Sequence, residues 1–139
     1  MLKSNQDIKY NICMCTFTNG IPEDLKPKKE ENVVYDITYR AIQHSDLTKY
    51  DFVPTNIEKP GRKKFWRIRG YYGVSLFDDL DKLKGKVESI PSLEKTTVGF
   101  AVGHTYIGKG ISTIANDHHI NYYLYDWENN NPYVDFKKI

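Results

Sequence analysis

The chain has 139 residues, 40% of them apolar and 27% charged, which argues against a disordered or low-complexity chain and suits one hydrophobic core. No stretch approaches about 18 consecutive apolar residues, and no charged start leads into an apolar signal segment, so the expectation is a soluble cytoplasmic protein with no membrane partner. The net charge of +2 is unevenly spread: Lys59 to Gly73 hold six cations and no acid, so that segment carries +6 against −4 for the rest.

Residues 7–18, "DIKYNICMCTFT", alternate as a strand with Ile8, Tyr10, Ile12 and Met14 on one side, and Asn19-Gly20 supplies a turn. Cys13 and Cys15 lie two apart on that strand, where a disulfide would need a strained small ring. A lone C-x-C also lacks a second pair of zinc ligands, so no metal and no cofactor is expected. Residues 19–32 read as a charged, Pro-containing connection in which the charges serve solubility. "VVYDITYRAI" (33–42) is a clear strand that places Arg40 at mid-length on the face of Thr38 and Ile42. "HSDLTKYDF" predicts a short helical turn capped by Ser45, followed by a loop over 54–61.

"KKFWRIRGYYG" alternates so that Lys64, Trp66 and Ile68 share one face while Phe65, Arg67, Arg69 and Tyr71 share the other. The apolar Trp66 and Ile68 mark the expected core face. The other face, with Lys63 nearby, is then a candidate ligand-binding surface, because Arg67 and Arg69 neutralise phosphates while Phe65 and Tyr71 offer rings for base stacking. Ser75 followed by Asp78, with Leu76, Leu80 and Leu83 at helical spacing and Lys82, Lys84 and Gly85 beyond, predicts the one main helix near 76–84. "ESIPSLEK" offers a Pro-bounded turn or a short helix starting near Ser92.

"TTVGFAVGHTYIG" (96–108) alternates large residues (Val98, Phe100, Val102, His104, Tyr106) with small ones (Thr97, Gly99, Ala101, Gly103, Thr105), and the bare face is expected to receive the main helix. "GKGISTIAND" reads as a Gly-punctuated connection, "HHINYYLYDW" (118–127) as a strand pairing antiparallel with 96–108, and the last residues as a turn and short strand. The sum is an α+β fold: a single domain over 1–139 built on a strongly twisted antiparallel sheet of about five strands, with partial closure into a barrel allowed.

Histidines supply a second constellation. If 96–108 and 118–127 are neighbours, His104 faces His118 or His119 across the ladder, and two imidazoles serve as base and acid in phosphodiester cleavage. A third is an order of residues: Arg40 on an early strand, Ser75 after a central one, and Glu128 in Asp126-Trp127-Glu128. It resembles the Arg, Ser, Glu order of arginine-type ADP-ribosyltransferases, whose glutamate orients the nicotinamide ribose; the family's Ser-Thr-Ser strand and Glu-x-Glu signature are incomplete here. The resemblance implies Arg40 and Glu128 as catalytic candidates. The leading expectation remains binding of a polyanion, nucleic acid or nucleotide phosphate, through the basic-aromatic strand. The alternatives are a protein-interaction or inhibitor module using its Tyr-rich strands, and a His-dependent phosphodiester-processing or ADP-ribosyltransferase-like enzyme.

Overall fold

A computed structural model describes residues 16–139. Most of the 7–18 strand, with Ile8, Tyr10, Cys13 and Cys15, lies outside them. Among the described residues six strands form one sheet: β1 (Thr38–Ile42), β2 (Val74–Phe77), β3 (Gly99–Gly103), β4 (Gly110–Asn116), β5 (His119–Leu124) and β6 (Phe136–Lys138). They lie in the order β4-β5-β2-β1-β3-β6, each pair antiparallel, and the sheet stays open rather than closing into a barrel. With the short helices α1 (Thr55–Glu58), α2 (Leu80–Ser89) and α3 (Pro91–Thr96), this is an α+β fold. Among the described residues no helix is long and apolar enough to cross a membrane.

Strand alternation divides the core between the two faces of the sheet. One face buries Ile42, Val74, Leu76, Ala101, Ile120, Tyr122 and Leu124 beneath Phe52 and Phe136. On the opposite face α2 sets Leu83 and Val87 against Phe77, with Tyr39, Ala41 and Phe100 around them. A third cluster forms where the chain before β2 folds over Tyr123, burying Ile21, Tyr71 and Tyr72 with Phe65 packed alongside.

Several expected elements take other forms. The main helix starts at Leu80, capped by the Asp79 side chain accepting from the Lys82 N–H at 3.0 Å, and runs through Gly85 to Ser89. Ser75 and Leu76 belong to β2 instead, because Val-Ser-Leu-Phe satisfies a ladder with β5, Ser75 opposite Asn121 and Phe77 opposite His119. The turn after β1 is capped by Thr48, not Ser45: Thr48 and Asp51 form a reciprocal capping box around a 3-10 turn at Lys49–Phe52. "GKGISTIAND" is not a connection but β4, the partner of β5.

The bare side of β3 also receives something other than the main helix. A Cβ added at Gly103 would lie 2.3 Å from the Asp135 carbonyl oxygen and 2.5 Å from the Phe136 ring, so β6 occupies that space. The helix α2 instead covers the Phe100 side.

Candidate functional site

Residues 61–73 make no strand. They fold as two 3-10 turns, Lys63–Phe65 and Arg69–Tyr72, punctuated by Gly61 at φ +81°. The expected faces are accordingly reversed. Trp66 and Ile68, expected in the core, are 48% and 52% exposed, whereas Phe65 packs against the buried Tyr71 with ring centroids 6.0 Å apart. Tyr71 is buried and its hydroxyl donates to the Lys59 carbonyl at 2.6 Å, while Phe65 is half-buried with the Lys64 ammonium 5.0 Å from its ring centroid.

The two arginines already have anions. Arg67 forms a two-point ion pair with Asp24, one arm at 3.2 Å, and this pairing holds the Asp24 carboxyl below the usual range. Arg69 pairs with Glu31 at 2.7 Å and lies over the Tyr123 ring, 5.6 Å from its centroid. Asp24 and Glu31 come from the 19–32 connection, whose acids therefore answer the local excess of positive charge rather than serving solubility alone. Arg62, Lys63 and Lys64 stay exposed beside Trp66.

Three further candidates converge elsewhere. Strands β1 and β2 pair at one register, Tyr39 opposite Phe77. Arg40 bridges the opening beyond it, donating from Nε to the Asp51 carbonyl at 2.8 Å and from Nη1 to the Ser75 carbonyl at 2.9 Å. Burial pulls the Arg40 pKa down, opposed by the charges of Glu58 and Asp51. Asp51 is itself buried, yet its carboxylate accepts from the Gln43 N–H at 2.9 Å and the Thr48 N–H at 3.1 Å. The arginine is thus held by a loop whose buried Asp51 carboxylate is itself hydrogen-bonded.

Above this opening, α2 and the sheet enclose a cleft of about 640 Å³. Arg40, Ser75 and His119 line it from the sheet, Lys82 and Lys86 line it from α2, and Phe77 with Leu83 supplies an apolar wall. Ser75 and His119 point to the same side because they are diagonal neighbours on paired strands. The Ser75 Oγ lies 2.5 Å from His119 Nε2. Stacking on Phe77, with ring centroids 5.1 Å apart, fixes the plane of the imidazole. Burial lowers the His119 pKa, and the positive charges of Lys86 and Arg40 lower it further, which favours the neutral ring.

The other candidates stand apart. β3 and β5 are separated by β2 and β1, which at about 4.8 Å per strand places them roughly 14 Å apart. His104 therefore cannot face His118 or His119 across a ladder; it is exposed, 3.6 Å from Asp135, whose other oxygen holds Lys109 at 2.6 Å. His118 occupies the β4–β5 turn at φ +60°, its ring between Asp78 at 2.7 Å and Asp117 at 3.3 Å, which raises its pKa. Glu128 sits in an exposed turn, where its carbonyl accepts from Lys49 at 3.2 Å, and it does not line the cleft. The Arg, Ser, Glu arrangement is thus incomplete: Arg40 and Ser75 meet, and Glu128 does not join them.

Among the described residues no group of three His, Cys, Asp or Glu side chains is placed to hold a metal ion. Compared with protein-family models, with curated proteins and with solved structures, the chain gives no significant match.

Proposed function

We propose that the protein binds a small phosphate-bearing ligand, nucleotide-like in combining an anionic group with a planar apolar one, in the cleft between α2 and the sheet. The observation that carries this reading is the excess of cations on one concavity, Arg40, Lys59, Lys82 and Lys86 against Glu58 and Asp117, beside a Phe77 and Leu83 wall. Its volume of about 640 Å³ falls in the range of small-molecule sites. Arg40, Ser75 and His119 come from strands and Lys82 and Lys86 from a helix, which favours a preorganised site. The reading keeps the expected phosphate chemistry but moves it from Arg67 and Arg69 to Arg40 and the lysines of α2.

Calorimetric titration with phenyl phosphate tests it. Replacing Lys82 and Lys86 together by Gln is expected to weaken binding at least about tenfold, the equivalent of roughly 1.4 kcal/mol. Equal affinity in the wild type and the double variant counts against the cleft.

A second reading rests on the exposed Trp66 with Arg62, Lys63 and Lys64 beside it. Cations next to an exposed indole suit a single-stranded polyanion, with the indole as the stacking surface in place of Phe65 and Tyr71.

A further inference from the structure

We propose that Ser75 and His119 form a nucleophile and base pair that transfers the phosphoryl group of a phosphate monoester to the Ser75 hydroxyl and then to water. This rests on the phosphate-binding reading of the same cleft and adds chemistry to it. A serine to histidine hydrogen bond between two strands is by itself an ordinary cross-strand contact. Here three observations give it a further meaning. The pair opens into the cleft rather than into the core. The imidazole nitrogen that meets Oγ lies at 2.5 Å, within reach for proton transfer. The cations that line the cleft, Arg40, Lys59, Lys82 and Lys86, outnumber its acids Glu58 and Asp117, and positive charge stabilises a phosphoryl group in transfer.

The step balances with water as the only co-reactant. As Ser75 Oγ forms a bond to phosphorus, His119 Nε2 takes the Oγ proton; the bond from phosphorus to the ester oxygen breaks, and that oxygen leaves with the electron pair and receives the proton from His119. Water then attacks the phosphoserine, giving a proton to the now neutral His119, and the bond from phosphorus to Oγ breaks with Oγ taking that proton back. The products are an alcohol and inorganic phosphate. Arg40 spends Nε and Nη1 on backbone carbonyls, that of Ser75 among them, so its role is to hold positive charge at the cleft wall in fixed geometry. The apolar wall of Phe77 and Leu83 fits an alcohol with an aromatic or heteroaromatic body.

Two measurements on the full chain decide it. The wild type is treated with diisopropyl fluorophosphate and mapped by peptide mass spectrometry, and p-nitrophenyl phosphate hydrolysis is followed by released nitrophenolate. The expected result is a label on Ser75 and not on Ser89, the other serine lining the cleft, with both rates falling at least about 100-fold in His119→Gln. Ser75→Ala is expected to lose turnover while still binding phenyl phosphate. An unlabelled Ser75 and no hydrolysis in a wild type that binds phenyl phosphate overturns the chemistry and leaves the binding site standing. Loss of phenyl phosphate binding in the wild type overturns both. Full labelling in His119→Gln removes the histidine from the mechanism.

Discussion

Arg40→Met is the most informative single change, because it keeps the unbranched stem and deletes the donors. Two carbonyls lose their partners, that of Asp51 at 2.8 Å and that of Ser75 at 2.9 Å. A hydrogen bond from a charged donor contributes about 1.5–3 kcal/mol, and an acceptor left buried without a partner costs about 1–3 kcal/mol. Against this, the guanidinium no longer has to be held away from water, a cost visible in its lowered pKa. The balance predicts a net destabilisation of roughly 2–4 kcal/mol. For a chain of this size, with a urea slope of about 2 kcal/mol per molar, the unfolding midpoint should fall by roughly 1–2 M. Arg40→Lys, with one compact donor group in place of a fork, should lie between. An unchanged or raised midpoint in Arg40→Met refutes the argument that the guanidinium holds the β1–β2 opening.

Three other outcomes follow from the geometry. Gly103→Ala should destabilise by about 1–3 kcal/mol, since its Cβ meets the Asp135 backbone, whereas Gly85→Ala, in open space on α2, should stabilise by roughly 0.5–1 kcal/mol in the same denaturation assay. The raised His118 pKa makes its contribution to stability fully present below about pH 6.5 and lost as pH rises through the raised folded value. His118→Asn, which tolerates the left-handed backbone, should therefore lower Tm at about pH 5.5 and leave it unchanged near pH 9; an equal loss at both values contradicts the ion pair with Asp78. If the exposed basic turn carries polyanion binding, Lys63→Ala with Trp66→Ala should lower the salt needed for elution from heparin more than Arg67→Ala with Arg69→Ala, whose arginines are already paired with Asp24 and Glu31.

The strands β1 and β3 are legible because their side chains alternate, although the structure shortens them from the expected 33–42 and 96–108 to Thr38–Ile42 and Gly99–Gly103; β5 and β6 form within the expected segments. The existence of α2 was legible from Leu80, Leu83 and its flanking charges. β2 was hidden by an accident of spacing: Leu76, Leu80 and Leu83 recur as on a helix, although Leu76 is a strand residue facing the other core. β4 was hidden because two of its buried residues are hydroxylic. Ser112 tolerates burial by donating to the Val33 carbonyl at 2.9 Å and meeting Thr105 Oγ1 at 3.0 Å, and no period-two pattern of apolar residues records such satisfaction.

These two omissions carried the site with them. Without β2 beside β5, Ser75 reads as a helix cap and His119 as a neighbour of His104. With the observed registers, the same letters put Ser75 Oγ against His119. The basic segment misled for a different reason. Its alternation is genuine in sequence, but its acids lie some 40 positions upstream, at Asp24 and Glu31, where only the fold brings them into contact.

The central claim, that the cleft between α2 and the sheet receives a phosphate-bearing ligand, is tested most directly by titrating isotopically labelled Ser75→Ala with phenyl phosphate and following backbone amide and histidine ring resonances. The account predicts saturable shifts at residue 75, Phe77, Lys86 and the His119 ring, with the His104 ring and residues 62–66 unmoved. Shifts confined to residues 62–66, or none that saturate, would contradict it.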